Sequence, residues 1–299
     1  MHRFCGHSFA ATHGSDRETV VAWRRGRSGI GLAVAKTLGA AGAHVIVHGL
    51  GSADEIAQAE QSVREAGAAS ARFLPGNLAD PMAIDTLMRE AGALDILVNN
   101  AGIQHTAPLA EMPAAQWDRI LAINLSAVFH TMRLALPGMA QRGFGRVVNI
   151  ASVHGLVASV NKAPYVAAKH GVVGLSKVAA LEYAAQGDRN GGGITVNCVC
   201  PGFVETALIE PQIQARAMNH GGDREAGIRD LLGEKQPSLR MTLPEEIGAL
   251  VARLVAVVAG ALEGDGPRDG QEQLGRGGLL LDGQVEVEVE RAQFGVGGG

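Results

Sequence analysis

Two hydrophobic periods exchange repeatedly along this chain, and that alternation restricts its fold more than anything else. Short apolar runs read as strands: "HVIVHGL" (44–50), "LDILVNNAG" (94–102), "GRVVNIAS" (145–152) and "GITVNCVCPG" (193–202). Longer runs over 31–41, 53–66, 81–91, 116–142 and 165–185 read as helices. Strand, helix, strand at this spacing predicts an α/β fold, a Rossmann-type doubly wound parallel sheet with helices on both faces. Ligands in such sheets bind beyond the carboxyl ends of the strands. The residues that follow the apolar runs are therefore the ones to search for chemistry. The 299 residues suit a single domain over 18–258. An irregular segment (1–17) precedes it, and a Gly-rich tail of low order (259–299) follows. "ETVVAW" (18–23) is a candidate short strand, and "GLLLDGQVEVEVE" in the tail alternates enough for one more.

Composition excludes several classes. With 46% hydrophobic and 19% charged residues, the chain is globular rather than disordered. A net charge of −4 and scattered basic residues argue against a nucleic-acid partner. Cys5, Cys198 and Cys200 have no metal-ligand spacing and read as reduced thiols. No metal site is expected. The first residues contain no secretory apolar core, and "IGALVARLVAVVAGAL" is interrupted by Arg253, which suits a buried helix better than a membrane span. The expectation is a cytoplasmic protein with no membrane partner.

The polar groups cluster in "ASVHGLVASVNKAPYVAAKHG" (151–171). Tyr165 and Lys169 stand four apart, on one helix face. A phenol ordinarily titrates near pH ~10. A cation one turn away favours the phenolate and makes it usable as a base. Ser152, at a strand end, is placed to hold a substrate oxygen while a proton moves. "RSGIG" (27–31) opens a helix with glycines that admit a pyrophosphate to its N-terminus. Asn124 is an amide inside the apolar run "LAINLSAVF", and a buried amide there must find partners.

These residues resemble the classical short-chain dehydrogenase/reductase family: S-G-I-G, N-N-A-G, the helix Asn, Ser152 with Tyr165 thirteen residues later and Lys169 after it, and P-G-x-x-x-T (201–206). The resemblance runs from about residue 28 to 254. "NNAGIQHTAPL", "IASVHGLVASVNKAPYVAAKHGVVGL" and "LLGEKQPSL" resemble its bacterial D-3-hydroxybutyrate dehydrogenase branch. The resemblance implies an oxidoreductase that moves a hydride between NAD and a small hydroxy acid, and a homotetramer. It implies that Ser152 orients the substrate oxygen and Tyr165 exchanges its proton. Lys169 would lower the tyrosine pKa and hold the nicotinamide ribose, and Asn124 would support a water leading from Lys169 to solvent. It places Gly29, Ile30, Gly31, Asn77, Leu78, Asn99, Ala101, Gly102, Tyr165, Lys169, Pro201, Gly202, Val204 and Thr206 on the cofactor. Gln104, His154, Lys162 and Gln212 would clasp the substrate carboxylate, a role that suits two amides, an imidazole and an ammonium. His105 and His170 have no matching role and read as structural, and Trp117 as helix packing.

The pattern breaks in places. Arg24 and Arg25 stand where the family has Thr and the first Gly of its phosphate turn. "VHGLGS", after the second strand, holds neither an acid for a ribose diol nor an Arg for a 2′-phosphate. Asn77 replaces an Asp expected to accept from the adenine amino group. Two further readings therefore stay open: a 3-oxoacyl reductase using NADPH, and a non-catalytic dinucleotide-fold paralogue damaged at the glycine turn.

Overall fold

The computed structural model describes residues 18–22, 29–186, 193–233, 236, 238–256 and 286–287. The expected segments 1–17 and most of 259–299 lie outside the described residues, as do Arg24 and Arg25. Seven parallel strands form one sheet in the order β3-β2-β1-β4-β5-β6-β7. They are β1 (Glu18–Ala22), β2 (His44–His48), β3 (Ser70–Leu74), β4 (Ile96–Asn99), β5 (Phe144–Ile150), β6 (Gly193–Val199) and β7 (Glu286–Val287). The helices are α1 (Ile30–Ala40), α2 (Ala53–Glu65), α3 (Pro81–Ala91), α4 (Ala114–Leu121), α5 (Ala127–Arg142), α6 (Ala163–Tyr183), α7 (Glu210–Met218), α8 (Arg224–Gly233) and α9 (Pro244–Ala256).

The inner strands are apolar throughout because helices cover both faces. Side chains alternate, so neighbours along a strand join different cores. Ile46, Leu97 and Val147 face the side covered by α3, α5 and α6. Val45, Val47, Ile96, Val98 and Val148 face α1 and α9. A third, smaller cluster of Ile209, Ile213, Leu231, Leu232 and Met241 packs α7 against α8. Local signals start the helices: Ser52 and Glu55 form a reciprocal capping box on α2, and Asp80 caps α3 ahead of Pro81.

The structure corrects the sequence reading in two places. The strand β3 went unread: it lies at the sheet edge, is half-exposed and carries Arg72, so it lacks a continuous apolar run. The candidate strand at 18–23 is present as β1, paired on both sides between β2 and β4. The helix expected over 116–142 is three pieces, with a π-helical turn (Ala122–Ser126) between α4 and α5. Taken together, Ala114–Arg142 is the one described run long and apolar enough to cross a membrane. Its Ile120, Asn124, Met132, Leu136 and Met139 are buried inside the protein, as in a core helix.

Candidate active site

Pro164 in its first turn starts α6 at Ala163, which puts Tyr165 and Lys169 on the helix's buried side, one turn apart. Lys169 Nζ donates to the Ile150 carbonyl at the end of β5 (2.8 Å) and lies 5.7 Å from the centre of the Tyr165 ring. Ser152 follows β5 and caps a 3-10 turn (Val153–Gly155), its hydroxyl accepting from His154 N–H at 3.2 Å. The His154 ring stands edge-on to Tyr165, centroids 6.2 Å apart. That turn lies directly on α6: a Cβ added at Gly155 would come within 2.8 Å of the Lys169 carbonyl oxygen.

Burial pulls the Lys169 ammonium down to about 8. Charge on the neighbouring Cys198 and Cys200 thiols would raise it again, but a hydrogen bond with Cys198 and burial push Cys200 strongly upward. Cys200 therefore stays a neutral thiol, and burial governs Lys169. At pH 7 the ammonium is charged and faces the phenol.

Asn124 is fully buried in the π turn. Its Oδ1 accepts from Ile103 N–H (2.8 Å) and its Nδ2 donates to the Ile103 carbonyl (2.9 Å). The turn bulges the helix and aims this amide at the β4 loop, as π turns do at functional sites. A Cβ on Gly102 would lie 3.7 Å from Asn124 Oδ1 and 3.8 Å from Lys169 Nζ, so the three meet behind the tyrosine.

In front of Ser152 and Tyr165 opens a cavity of about 150 Å³. Gln104, His154, Lys162 and Gln212 line it, and so do Ile30, Pro201, Gly202, Val204 and Thr206. Lys162 Nζ donates to Gln212 Oε1 at 3.1 Å, joining the start of α6 to α7 across the opening. Gln104 Nε2 donates to Thr106 Oγ1 at 3.4 Å. Val157, Leu208 and Ile209 make part of the wall apolar.

Residues 23–217 of the sequence match the family described as short chain dehydrogenase. The chain belongs to the short-chain dehydrogenase family. This short-chain dehydrogenase is 48% identical over 245 residues to the D-beta-hydroxybutyrate dehydrogenase of Cupriavidus necator, covering 79% of this chain and 90% of that one. It is 42% identical over 241 residues to the enzyme of the same name from Rhizobium meliloti, covering 79% and 91%. Among solved structures, actinorhodin polyketide ketoreductase with NADPH superposes with a TM-score of 0.72 at 33% identity, over 83% of this chain and 93% of that chain. The chain is an oxidoreductase enzyme of this family.

Not every expected residue of the dehydrogenase faces the main cavity. Leu78, Asn99 and Ala101 line a separate one of about 20 Å³. The Asn99 side chain turns into the core, donating to Asn149 Oδ1 and accepting from Thr131 Oγ1, both at 2.8 Å. Only its backbone is left to face a ligand. Asn77 Oδ1 accepts from Ala79 N–H at 3.1 Å, which uses one lone pair of the carbonyl assigned to adenine. Gly29, at φ 130 with open space where a Cβ would stand, leads into Gly31 and the N-terminus of α1. The first-turn N–H groups of a helix lack intrahelical partners, and together with bare glycine backbone they fit a pyrophosphate. Gln236, Thr242 and Phe203 also line the main cavity and were not singled out from the sequence. Gln236 lies in "LLGEKQPSL", whose likeness to the branch was visible while its place beside the cavity was not.

Proposed function

We propose that this dehydrogenase interconverts D-3-hydroxybutyrate and acetoacetate with NAD. The observation that carries the proposal is the lining of the cavity. An ammonium, an imidazole and two amides (Lys162, His154, Gln104 and Gln212) share it with Ser152 and Tyr165. A small hydroxy acid needs both halves: donors for its carboxylate and an acid/base pair for its hydroxyl. A thioester offers no carboxylate to the first set.

Gly29, Ile30 and Gly31 would hold the pyrophosphate, Lys169 the nicotinamide ribose, and residues 201–206 the nicotinamide end. When bound, the nicotinamide would supply the acceptor for the hydride from C3 of the hydroxy acid. Tyr165, as phenolate, takes the hydroxyl proton as the C3–O bond becomes a carbonyl. Lys169 favours that phenolate by its charge. Ser152 donates to the same oxygen and steadies its partial charge in both directions. The carboxylate clamp fixes the distance from the anion to the reacting carbon.

The start of α2, beyond the turn after β2, supports NAD rather than NADP. Its Ser52–Glu55 capping box and Asp54 bring carboxylates to the N-terminus of α2, where a 2′-phosphate would meet repulsion. A homotetramer in the cytoplasm completes the proposal; light scattering on the purified protein measures the assembly. The deciding assay follows NADH absorbance with NAD and D-3-hydroxybutyrate. Turnover is expected with that pair and not with NADPH and a 3-oxoacyl thioester. Faster turnover with the thioester overturns the substrate. No turnover, with no thermal shift on adding NAD, leaves a non-catalytic protein.

A further inference from the structure

Gly202, Phe203 and Val204 form part of one wall of the main cavity, and the backbone over 202–205 is tied at three points. Two ties run to another backbone segment: Thr242 N–H donates to the Phe203 carbonyl (2.9 Å), and Glu205 N–H donates to the Thr242 carbonyl (3.0 Å). Any side chain allows those. The third is a side chain: Phe203 N–H donates to Gln236 Oε1 at 3.2 Å. Gln236 is 8% exposed and lines the cavity itself. Its Nε2 donates to the Arg240 carbonyl. Its own backbone N–H donates to the Leu232 carbonyl at 2.7 Å, so it is also anchored to α8. The contact is close as well as polar, since a Cβ on Gly202 would stand 3.0 Å from Gln236 Oε1.

This position needs an acceptor for Phe203 and a donor for Arg240 on one side chain of fixed length. The Gln236 amide supplies both.

We infer that Gln236 is a positioning residue that sets the wall at 202–205 and thereby the grip of the cavity on dinucleotide and hydroxy acid. What is gripped rests on the function proposed above; the setting of the wall does not. The substitutions are Gln236→Met, of similar length without the hydrogen bonds, and Gln236→Glu, which keeps the acceptor. Both are made in the full chain. Hydrogen–deuterium exchange of the peptide covering 202–206 reads the wall without any ligand. NADH fluorescence titration and steady-state kinetics read the grip.

In Gln236→Met the peptide exchanges faster, and the NADH Kd and hydroxybutyrate KM both rise about tenfold, the worth of one buried hydrogen bond. kcat stays within about threefold, and Gln236→Glu falls between the two. Unchanged exchange overturns the inference. So does faster exchange or a lower Tm with Kd and KM unmoved, because that is a structural amide only. If Gln236→Met does not fold, Gln236→Asn, which keeps the amide on a side chain too short to reach both partners, is held to the same outcomes. A wild type that binds no NADH and turns nothing over defeats the function instead. The exchange arm then decides alone whether Gln236 sets the wall.

Discussion

Tyr165 and Lys169 stand one helical turn apart and share a buried face, and their proposed acid/base role rests on that geometry. The ammonium is charged at neutral pH although burial draws its pKa to about 8. Removing the phenol oxygen with Tyr165→Phe should lower kcat by about a thousandfold, in the range of general acid–base catalysis, while NADH still binds. A residual rate within about tenfold of wild type would take this oxygen off the proton path. Lys162 has a different proposed task. Lys162→Ala should raise the hydroxybutyrate KM about ten- to a hundredfold, the worth of a hydrogen bond to a charged group, and barely move the Kd for NAD. Equal losses in both would remove Lys162 from the carboxylate clamp.

Two elements hold these groups in place, and each depends on a contact between residues distant in sequence. The 3-10 turn after Ser152 rests on α6 because Gly155 has no side chain; an added Cβ would meet the Lys169 carbonyl at 2.8 Å and Val173 Cγ2 at 2.9 Å. Gly155→Ala should cost about 1–3 kcal/mol, visible as a lower denaturant midpoint, and should depress kcat because relief comes by moving α6. Stability lost with kcat intact would show that the turn yields instead. The π turn carries Asn124 to Ile103 in the same way. An amide inside "LAINLSAVF" announces that a buried polar group needs partners. That its partners are both backbone groups of one residue in the β4 loop depends on how the helix packs.

The burial of Lys169 has a consequence for the whole molecule. Its pKa is about 8 when folded and 10.5 as an unperturbed side chain. Between those values the unfolded chain binds the additional proton, so stability rises as pH increases through the window. Below about 8 both states are protonated and the cost of burying the charge is constant. Chemical denaturation across the window should show wild type gaining on Lys169→Met as pH rises. A difference independent of pH would mean that the folded ammonium titrates no differently from the free one.

The strand–helix alternation and the positions of Ser152, Tyr165 and Lys169 could be read from the chain alone, because periodicity and i, i+4 spacing are local properties. The parallel sheet followed from the same pattern. The edge strand β3 did not, since an edge half open to solvent needs no continuous apolar run. The inward turn of Asn99, the bond from Lys162 to Gln212 and the hold of Gln236 on Phe203 were decided by tertiary structure. Each joins residues 33 to 50 positions apart, and no spacing along a chain specifies which distant backbone a buried amide will reach.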